Sequence, residues 1–255
     1  MDVFFNSVPT PAFTVDKTCI NQITEFTDAS TIATGTITSW TWDFDDLGAT
    51  STAQNPTHQF SASGTYQVKL VATSNLGCKD SITVPVVIDP KPTVDFTFAN
   101  LCLNNSTQFT DGSTIGSGAV NTWRWDFDGL GSSVLQNPSF TFPAAGTYDV
   151  KLVSGSGAGC LDSITKQIII QALPTADAGP NRNICPGASV QIGVAPSAGF
   201  TYSWTPTAGL SNANIANPIA TPTSPTTYTV VVTETATGCF DDAVMDVFFN
   251  SVPTP

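Results

Sequence analysis

His58 is the only histidine in the chain and therefore the first side chain to consider as a general base. In a related segment of the same chain the corresponding position is Phe140, so the sequence favours an imidazole that packs beside aromatic rings over a catalytic one. The chain also lacks a Gly-x-Ser-x-Gly segment, a His-Glu-x-x-His segment and a phosphate-binding glycine loop. These observations predict that the chain has no active site and is not an enzyme.

Two clusters of aspartates offer oxygen ligands to a calcium ion, the only cofactor for which the sequence supplies ligands. Their members are Asp43, Asp45, Asp46, Asp126 and Asp128. Ca²⁺ takes six to eight oxygen ligands, many of them carboxylates, and alternation along a strand would place Asp43 and Asp45 on one face. The alternative is that these carboxylates accept hydrogen bonds from the following turns, as aspartates commonly do. The sequence leaves both interpretations open.

Six cysteines form the other reactive set, and they fall into three successive pairs. The partners within a pair are roughly 55 to 60 residues apart, too far for the closely spaced pairs of zinc sites. We predict one disulfide per pair: Cys19 with Cys78, Cys102 with Cys160, and Cys185 with Cys239. Each would close a loop worth about 4 kcal/mol in the chain-entropy model. Disulfides imply an oxidising compartment outside the cytoplasm; the alternative is six buried thiols.

An identical segment at both ends shows how the chain is organised. Residues 1–11 and residues 245–255 both read MDVFFNSVPTP, so the sequence recurs with a period of 244 residues, the distance from Met1 to Met245. A weaker period of about 82 residues lies inside it and defines three modules. We place module 1 at 9–89, module 2 at 90–172 and module 3 at 173–251, and we expect a longer tandem array.

The ends of the chain then belong to neighbouring repeats. Residues 1–8 would be the final strand of a preceding repeat, and residues 252–255 the start of the next one. This repeat-junction strand occurs twice, as Asp2, Val3, Phe4 and Phe5 and as Asp246, Val247, Phe248 and Phe249. A covalently continuous array is favoured, and strand exchange between separate chains is the alternative.

The modules are predicted to be all-β. Tyr66, Val68 and Leu70 alternate with polar residues, which is typical of a half-buried strand, and the same alternation recurs in the other two modules. Turn residues separate such segments, and no segment has helical periodicity. We therefore predict three tandem Ig-like β-sandwich modules in a linear array, each with one intramodule disulfide. Prolines at the joins, such as Pro90 and Pro92, predict semi-rigid spacing between neighbours.

Composition narrows the classes of partner. Charged residues make up 11% of the chain and the net charge is −12, which argues against binding to nucleic acid through phosphate contacts. No apolar segment approaches the roughly 20 residues that a membrane-spanning helix needs. The remaining partners are neighbouring repeats, of the same or an identical chain, and surface polysaccharide.

Three motifs that recur in order carry a family resemblance. In module 1 they are residues 42–46 (WDFDD), residues 55–56 (NP) and residues 64–68 (GTYQV), and module 2 repeats them. Together they resemble a PKD (polycystic kidney disease) domain, although Asp45 and Asp128 stand where that family usually has Gly. In module 3 the corresponding cues are residues 178–180 (AGP), 184–187 (ICPG) and 217–218 (NP). With these, module 3 resembles the Ig-like or PKD-like repeats of surface proteins from gliding Gram-negative bacteria.

The resemblance implies a function outside the cell. Tandem arrays of this kind look like giant adhesins or filaments exported by type IX secretion, so we expect a non-catalytic, semi-rigid spacer in an extracellular filament or adhesin stalk. The alternatives are polysaccharide- or surface-binding modules, for which Trp40 or Trp123 would be stacking platforms, and accessory domains of a secreted hydrolase. Ser81 and Ser163, in Asp-Ser-Ile segments, resemble O-glycosylation acceptors of such bacteria.

Overall fold

A computed structural model describes residues 7–250 of the chain, and its regular secondary structure consists of twenty β-strands. No helix occurs among these residues, so none could span a bilayer. The prediction of an all-β fold is therefore confirmed. The N-terminal copy of the junction strand, Asp2, Val3, Phe4 and Phe5, lies outside the described residues, as does the segment 252–255.

Module 1 is built from two sheets. Strand order is β1-β2-β5 in one sheet and β4-β3-β6-β7 in the other, with neighbouring strands antiparallel. The strands are β1 (Phe13–Asp16), β2 (Thr24–Asp28), β3 (Ile37–Asp43), β4 (Thr50–Ser51), β5 (Thr57–His58), β6 (Gly64–Ser74) and β7 (Lys79–Ile88).

The core of module 1 lies between these two sheets. Trp42 of β3 is fully buried, and its indole N–H donates a hydrogen bond to the carbonyl oxygen of Ala53 at 2.9 Å. Phe26 of β2 packs against Trp42 from the opposite sheet, with ring centroids 5.6 Å apart. Val68 and Leu70 of β6 are also fully buried, as the alternation predicts. The two inner faces thus form the β-sandwich that the sequence predicts.

Module 2 repeats these elements in the same order. Its sheets have the strand orders β12-β9-β8 and β11-β10-β13-β14. Trp125 of β10 is fully buried, and its indole donates to the carbonyl oxygen of Leu135 at 2.9 Å, as Trp42 does to Ala53. The strands are β8 (Phe96–Ala99), β9 (Thr107–Asp111), β10 (Val120–Phe127), β11 (Ser132–Ser133), β12 (Ser139–Phe140), β13 (Gly146–Ser156) and β14 (Leu161–Ile170).

Module 3 keeps the buried tryptophan but has a different edge. Trp204 donates to the carbonyl oxygen of Ile215 at 2.9 Å, and the sheets have the orders β15-β20-β19-β17 and β16-β18. Strand β15 runs parallel to the end of β20 and adds a fourth strand there. The strands are β15 (Arg182–Ile184), β16 (Val190–Gln191), β17 (Phe200–Thr205), β18 (Ile219–Ala220), β19 (Thr226–Glu234) and β20 (Phe240–Phe249). The C-terminal junction-strand copy, Asp246, Val247, Phe248 and Phe249, ends β20.

Backbone contacts divide the chain into two compact units whose boundary passes through module 2. One unit contains the chain up to Thr97 together with Thr110–Gln136 and Lys151–Thr165, and the other contains Phe98–Phe109, Asn137–Val150 and the chain from Lys166 onward. Each of the two disulfides joins cysteines of a single unit.

The two tryptophans of β3 provide a test of this packing. We expect Trp42→Ala to reduce the free energy of unfolding of module 1 by about 3 to 5 kcal/mol, because it removes a fully buried ring and leaves a cavity. Trp40→Ala is the matched control and should cost less, since Trp40 is only half-buried. Urea unfolding followed by far-UV circular dichroism measures both. Equal losses for the two variants would contradict the assigned core.

Candidate functional site

Four of the six cysteines form disulfides that join successive modules. Cys19 of module 1 is bonded to Cys160 of module 2, and Cys102 of module 2 is bonded to Cys239 of module 3, with Cα atoms 5.5 Å apart in each pair. Cys78 and Cys185 are free thiols. The predicted pairs Cys19–Cys78, Cys102–Cys160 and Cys185–Cys239 are therefore wrong, and so is the expectation of one intramodule disulfide per module.

The last strand of module 1 explains why its two cysteines cannot pair. Cys78 directly precedes β7, and Asp89 directly follows it. Asp89 donates its amide to the carbonyl oxygen of Thr18 at 2.7 Å and accepts the amide of Ile20 at 2.9 Å, so it pairs with Cys19. A ten-residue strand spans about 33 Å. Cys19 and Cys78 thus lie at opposite ends of β7, far beyond the reach of a disulfide.

The first cysteine has the same position in the other modules. Cys102 bridges Gln171, the residue directly after β14, and Ile184, which precedes Cys185, accepts the amide of Asn250 directly after β20. The first cysteine of each module therefore lies beside the end of the last strand, and in modules 1 and 2 the chain passes from there to the next module.

The second cysteine lies on the tight turn before the last strand. In module 2 Gly159 has φ 84°, and Cys160 donates its amide to Ser156 Oγ at 3.2 Å while Ser156 donates its own amide to the Cys160 carbonyl at 2.9 Å. The Cys160 sulfur lies 3.9 Å from the carbonyl oxygen of Asp89, the last residue of module 1. Cys160 is fully buried there, so the turn of one module packs on the end of the module before it.

The two disulfides overlap along the chain. They join residues separated by 141 and 137 positions, and the segment between Cys102 and Cys160 lies inside both loops. In the chain-entropy model a loop of this length is worth about 5 kcal/mol. Each of the two joins between modules therefore has two covalent connections, the backbone and a disulfide.

The buried carboxylate of Asp46 is the centre of a second cluster of polar side chains, in module 1. His58 Nε2 lies 2.9 Å from Asp46 Oδ2, and Ser61 donates its hydroxyl to Asp46 Oδ1 at 2.6 Å and its amide to Oδ2 at 3.1 Å. The hydrogen bond from the Ser61 side chain, more than the contact with His58, holds the pKa of Asp46 below its ordinary value.

The geometry of this cluster indicates a structural role and not a catalytic one. The Ser61 hydroxyl donates to the carboxylate and not to the imidazole, which leaves no activated nucleophile. His58 stacks on Phe44 with ring centroids 4.4 Å apart, in agreement with the expected packing role. The cluster was not predicted, yet the sequence contains a signal for it: in module 2 all three polar residues are replaced together, by Gly129, Phe140 and Pro143.

The other aspartates considered for calcium bond separate backbone groups. Asp43 accepts the amide of Asp45, Asp45 accepts the amide of Gln67, and Asp126 accepts the amide of Gly129, at 2.8 to 3.0 Å. Asp45 and Asp128 both have φ near +57°, which suits the Gly that the PKD pattern usually has there. Residues 7–250 contain no group of three or more His, Cys, Asp or Glu arranged to hold a metal ion.

The remaining candidate residues lie on exposed or half-buried strand surfaces. Ser81 and Ser163 are exposed, and each donates its amide to the aspartate before it. Trp40 and Trp123 are half-buried, and their indoles donate to Asp28 and Asp111 at 2.8 Å. Trp123 also lines a pocket of about 390 Å³ together with Val134 and Leu161.

Comparison with known proteins identifies the family of modules 1 and 2. The family described as PKD domain matches residues 6–88 and residues 89–170. The chain is 44% identical over 67 residues to a microbial collagenase of Vibrio alginolyticus, which covers 26% of the chain and 8% of that protein. It is 27% identical over 144 residues to the pre-pro-metalloprotease PrtV of Vibrio cholerae, which covers 55% of the chain and 15% of that protein.

Among solved structures, the chain is similar to the PKD1 domain of Vibrio anguillarum Epp, with 23% identity and a TM-score of 0.31. That match covers 33% of the chain and 98% of the domain. The chain spans less than a sixth of the length of the two curated relatives.

The pH dependence of module 1 should report the Asp46 cluster. Because the pKa of Asp46 is lowered in the folded state, its contribution to stability is present above the ordinary aspartate pKa of 3.8 and is lost as the pH falls below that value. We expect Asp46→Asn to cost about 1 kcal/mol at pH 5 and progressively less towards pH 2. Asp242→Asn, at an exposed position, is the control. Urea midpoints measured across this range test the prediction, and a cost independent of pH would contradict it.

Proposed function

The chain belongs to the PKD domain family, and from that premise we propose that it is a non-catalytic repeat unit of an extracellular bacterial filament or adhesin stalk. In this role it acts as a semi-rigid spacer whose joins are cross-linked by disulfides. The observation that carries the proposal is the pairing of the first cysteine of modules 1 and 2 with the second cysteine of the following module, Cys19 with Cys160 and Cys102 with Cys239.

A disulfide in addition to the backbone limits how two neighbouring modules can move relative to each other under load. A single backbone connection allows neighbouring modules to swivel, whereas two connections at different points restrict that motion. At the join of modules 1 and 2 the backbone itself is held, because Asp89 exchanges hydrogen bonds with Thr18 and Ile20 and its carbonyl oxygen lies 3.9 Å from Cys160 Sγ. Pro90 also limits the conformations of the joining segment.

The oxidising compartment that disulfides require and the low content of charged residues both agree with the role of a spacer. Disulfides persist in oxidising surroundings, which supports a location outside the cell, at its surface or in a secreted filament. A chain with 11% charged residues depends little on ion pairs, and its covalent cross-links supply stability in their place. The neighbouring repeats, of the same or an identical chain, are the partners that this role requires.

A polysaccharide-binding role is the second candidate, and the pocket beside Trp123 is the observation that favours it. An aromatic ring flanked by the exposed side chains of Val134 and Leu161 offers an apolar surface to a sugar ring. Binding of the 255-residue chain to a glycan array, abolished by Trp123→Ala and retained by Trp40→Ala, would support this candidate instead.

Accessory modules of a secreted hydrolase are the third candidate. The curated relatives are a collagenase and a metalloprotease, and the matched segments are small parts of them. The recurrence of an identical eleven-residue segment after 244 residues favours the spacer, because an array of repeated units extends a structure without adding chemistry.

Single-molecule pulling from the two termini tests the spacer. With both disulfides intact, the shortest covalent path runs from Cys19 to Cys160, back to Cys102 and on to Cys239, which leaves roughly 90 residues to extend. We expect a maximum extension of about 320 Å in oxidising buffer and about 900 Å after reduction. A chain that reaches about 900 Å without reductant would contradict a load-bearing role for the disulfides.

Cys78→Ser is the matched control for this measurement. Because Cys78 is a free thiol, its replacement should leave the oxidised extension unchanged. If Cys19 were bonded to Cys78 instead, the variant would release roughly 60 further residues and lengthen the chain by about 200 Å.

A further inference from the structure

We propose that Cys185 forms a disulfide with Cys78 of the following copy of the 244-residue repeat, so that the cross-links continue from one repeat to the next. The proposal rests on the proposed function in one respect: it requires that copies of the repeat follow one another. It assigns a partner and a bond to the two thiols that the structure leaves free.

Cys185 lies in the same setting as the two first cysteines that are bonded. In each case the carbonyl oxygen of the residue before the cysteine accepts a hydrogen bond from the amide of the residue that follows the last strand. The bonds are Asn250 to Ile184 at 2.8 Å, Gln171 to Leu101 at 2.7 Å and Asp89 to Thr18 at 2.7 Å. Cys185 is therefore held beside the end of module 3, the position from which Cys19 and Cys102 reach the next module.

Cys78 lies on the same turn as Cys160. Gly77 has φ 81° where Gly159 has 84°, and Cys78 donates its amide to Ser74 Oγ at 3.1 Å, as Cys160 does to Ser156 Oγ at 3.2 Å. In both turns the serine returns a hydrogen bond from its amide to the cysteine carbonyl, at 2.8 and 2.9 Å. Cys78 is thus presented to a preceding module as Cys160 is.

The start of module 1 also has the geometry of a module that follows another. Thr10 and Thr31 exchange two backbone hydrogen bonds, of 2.7 and 3.0 Å, and Thr93 and Thr114 exchange the same pair at the start of module 2, of 2.7 and 2.9 Å. Prolines lie beside both segments: Pro9 and Pro11 of the repeated SVPTP sequence adjoin Thr10, and Pro92 adjoins Thr93 in the join of modules 1 and 2. The backbone at the start of module 1 therefore matches a join that is already cross-linked.

The spacing along the chain agrees with this pairing. Since Cys78 recurs 244 residues further along, at position 322 of a continuous array, it follows Cys185 by 137 residues. That separation equals the one between Cys102 and Cys239, and it is close to the 141 between Cys19 and Cys160.

The exposure of the two thiols is what the absence of their neighbours would produce. Cys160 and Cys239, the bonded second cysteines, are fully buried, whereas Cys78 is half-buried. Cys19 is 9% exposed in its disulfide, whereas Cys185 is exposed. An adjoining copy would cover Cys78 and Cys185 as the adjoining modules cover their counterparts.

Formation of the bond requires an oxidant. The two thiols lose two protons and two electrons as the sulfur–sulfur bond forms, and the electrons reduce an external disulfide, either a small molecule such as oxidised glutathione or a protein disulfide oxidoreductase, to two thiols. The reaction proceeds by thiolate attack through a mixed disulfide.

A chain of two copies, residues 1–244 followed by residues 1–255, tests the proposal. Cys78→Ser in the first copy and Cys185→Ser in the second leave one candidate pair at the join between the copies. After expression in an oxidising compartment and denaturation, we expect no thiol to react with an alkylating reagent. Mass spectrometry of the unreduced digest should find Cys185 of the first copy linked to Cys78 of the second.

The matched control exchanges the two substitutions, with Cys185→Ser in the first copy and Cys78→Ser in the second. It retains the same number of cysteines but removes both members of the proposed bond, so we expect two reactive thiols. Two reactive thiols in both chains would overturn the proposal while leaving the spacer role intact, because the pulling measurement depends only on the two disulfides inside each copy.

The 255-residue chain provides a second, independent measurement. With oxidised glutathione at high protein concentration it should form disulfide-linked head-to-tail multimers, and either Cys78→Ser or Cys185→Ser alone should limit them to no more than dimers. Dimers that link Cys185 to Cys185 are an alternative outcome. Their prevalence over the mixed Cys185–Cys78 link in the unmodified chain would overturn the proposal.

Discussion

The pairing of each first cysteine with the end of the last strand is the constraint on which the rest of the structure depends. Cys19 is bound to Asp89 by flanking backbone hydrogen bonds, and β7 separates it from Cys78 by about 33 Å. A module that places its two cysteines at opposite ends cannot close a disulfide on itself. Its cysteines can pair only with those of neighbouring modules, and the disulfides Cys19–Cys160 and Cys102–Cys239 hold successive modules together.

Inside each module, stability has a different origin. A fully buried tryptophan, Trp42, Trp125 or Trp204, donates its indole N–H to a carbonyl of a nearby loop in every module. Sheet pairing and this aromatic core build the module, and the disulfide then acts on the join. The aromatic core stabilises each module and the disulfides connect neighbouring modules, so a chain with few charged residues needs few ion pairs for either purpose.

Much of the fold could be predicted from the sequence, because the alternation through Tyr66, Val68 and Leu70 and the buried Trp42 depend on local pattern. The disulfide pairing could not be predicted from the count of two cysteines per module, since that count fits pairing within modules and between them equally well. The informative signal was the ten-residue strand after Cys78, which separates the cysteines. The Asp46 cluster was missed because its three members meet only through the turns after β3 and β5.

The disulfide map of the unreduced 255-residue chain tests the central claim most directly. Alkylation of free thiols, digestion without reductant and mass spectrometry should find Cys19 linked to Cys160 and Cys102 linked to Cys239, with the label on Cys78 and Cys185. Peptides that link Cys19 to Cys78, or Cys102 to Cys160, would contradict the account.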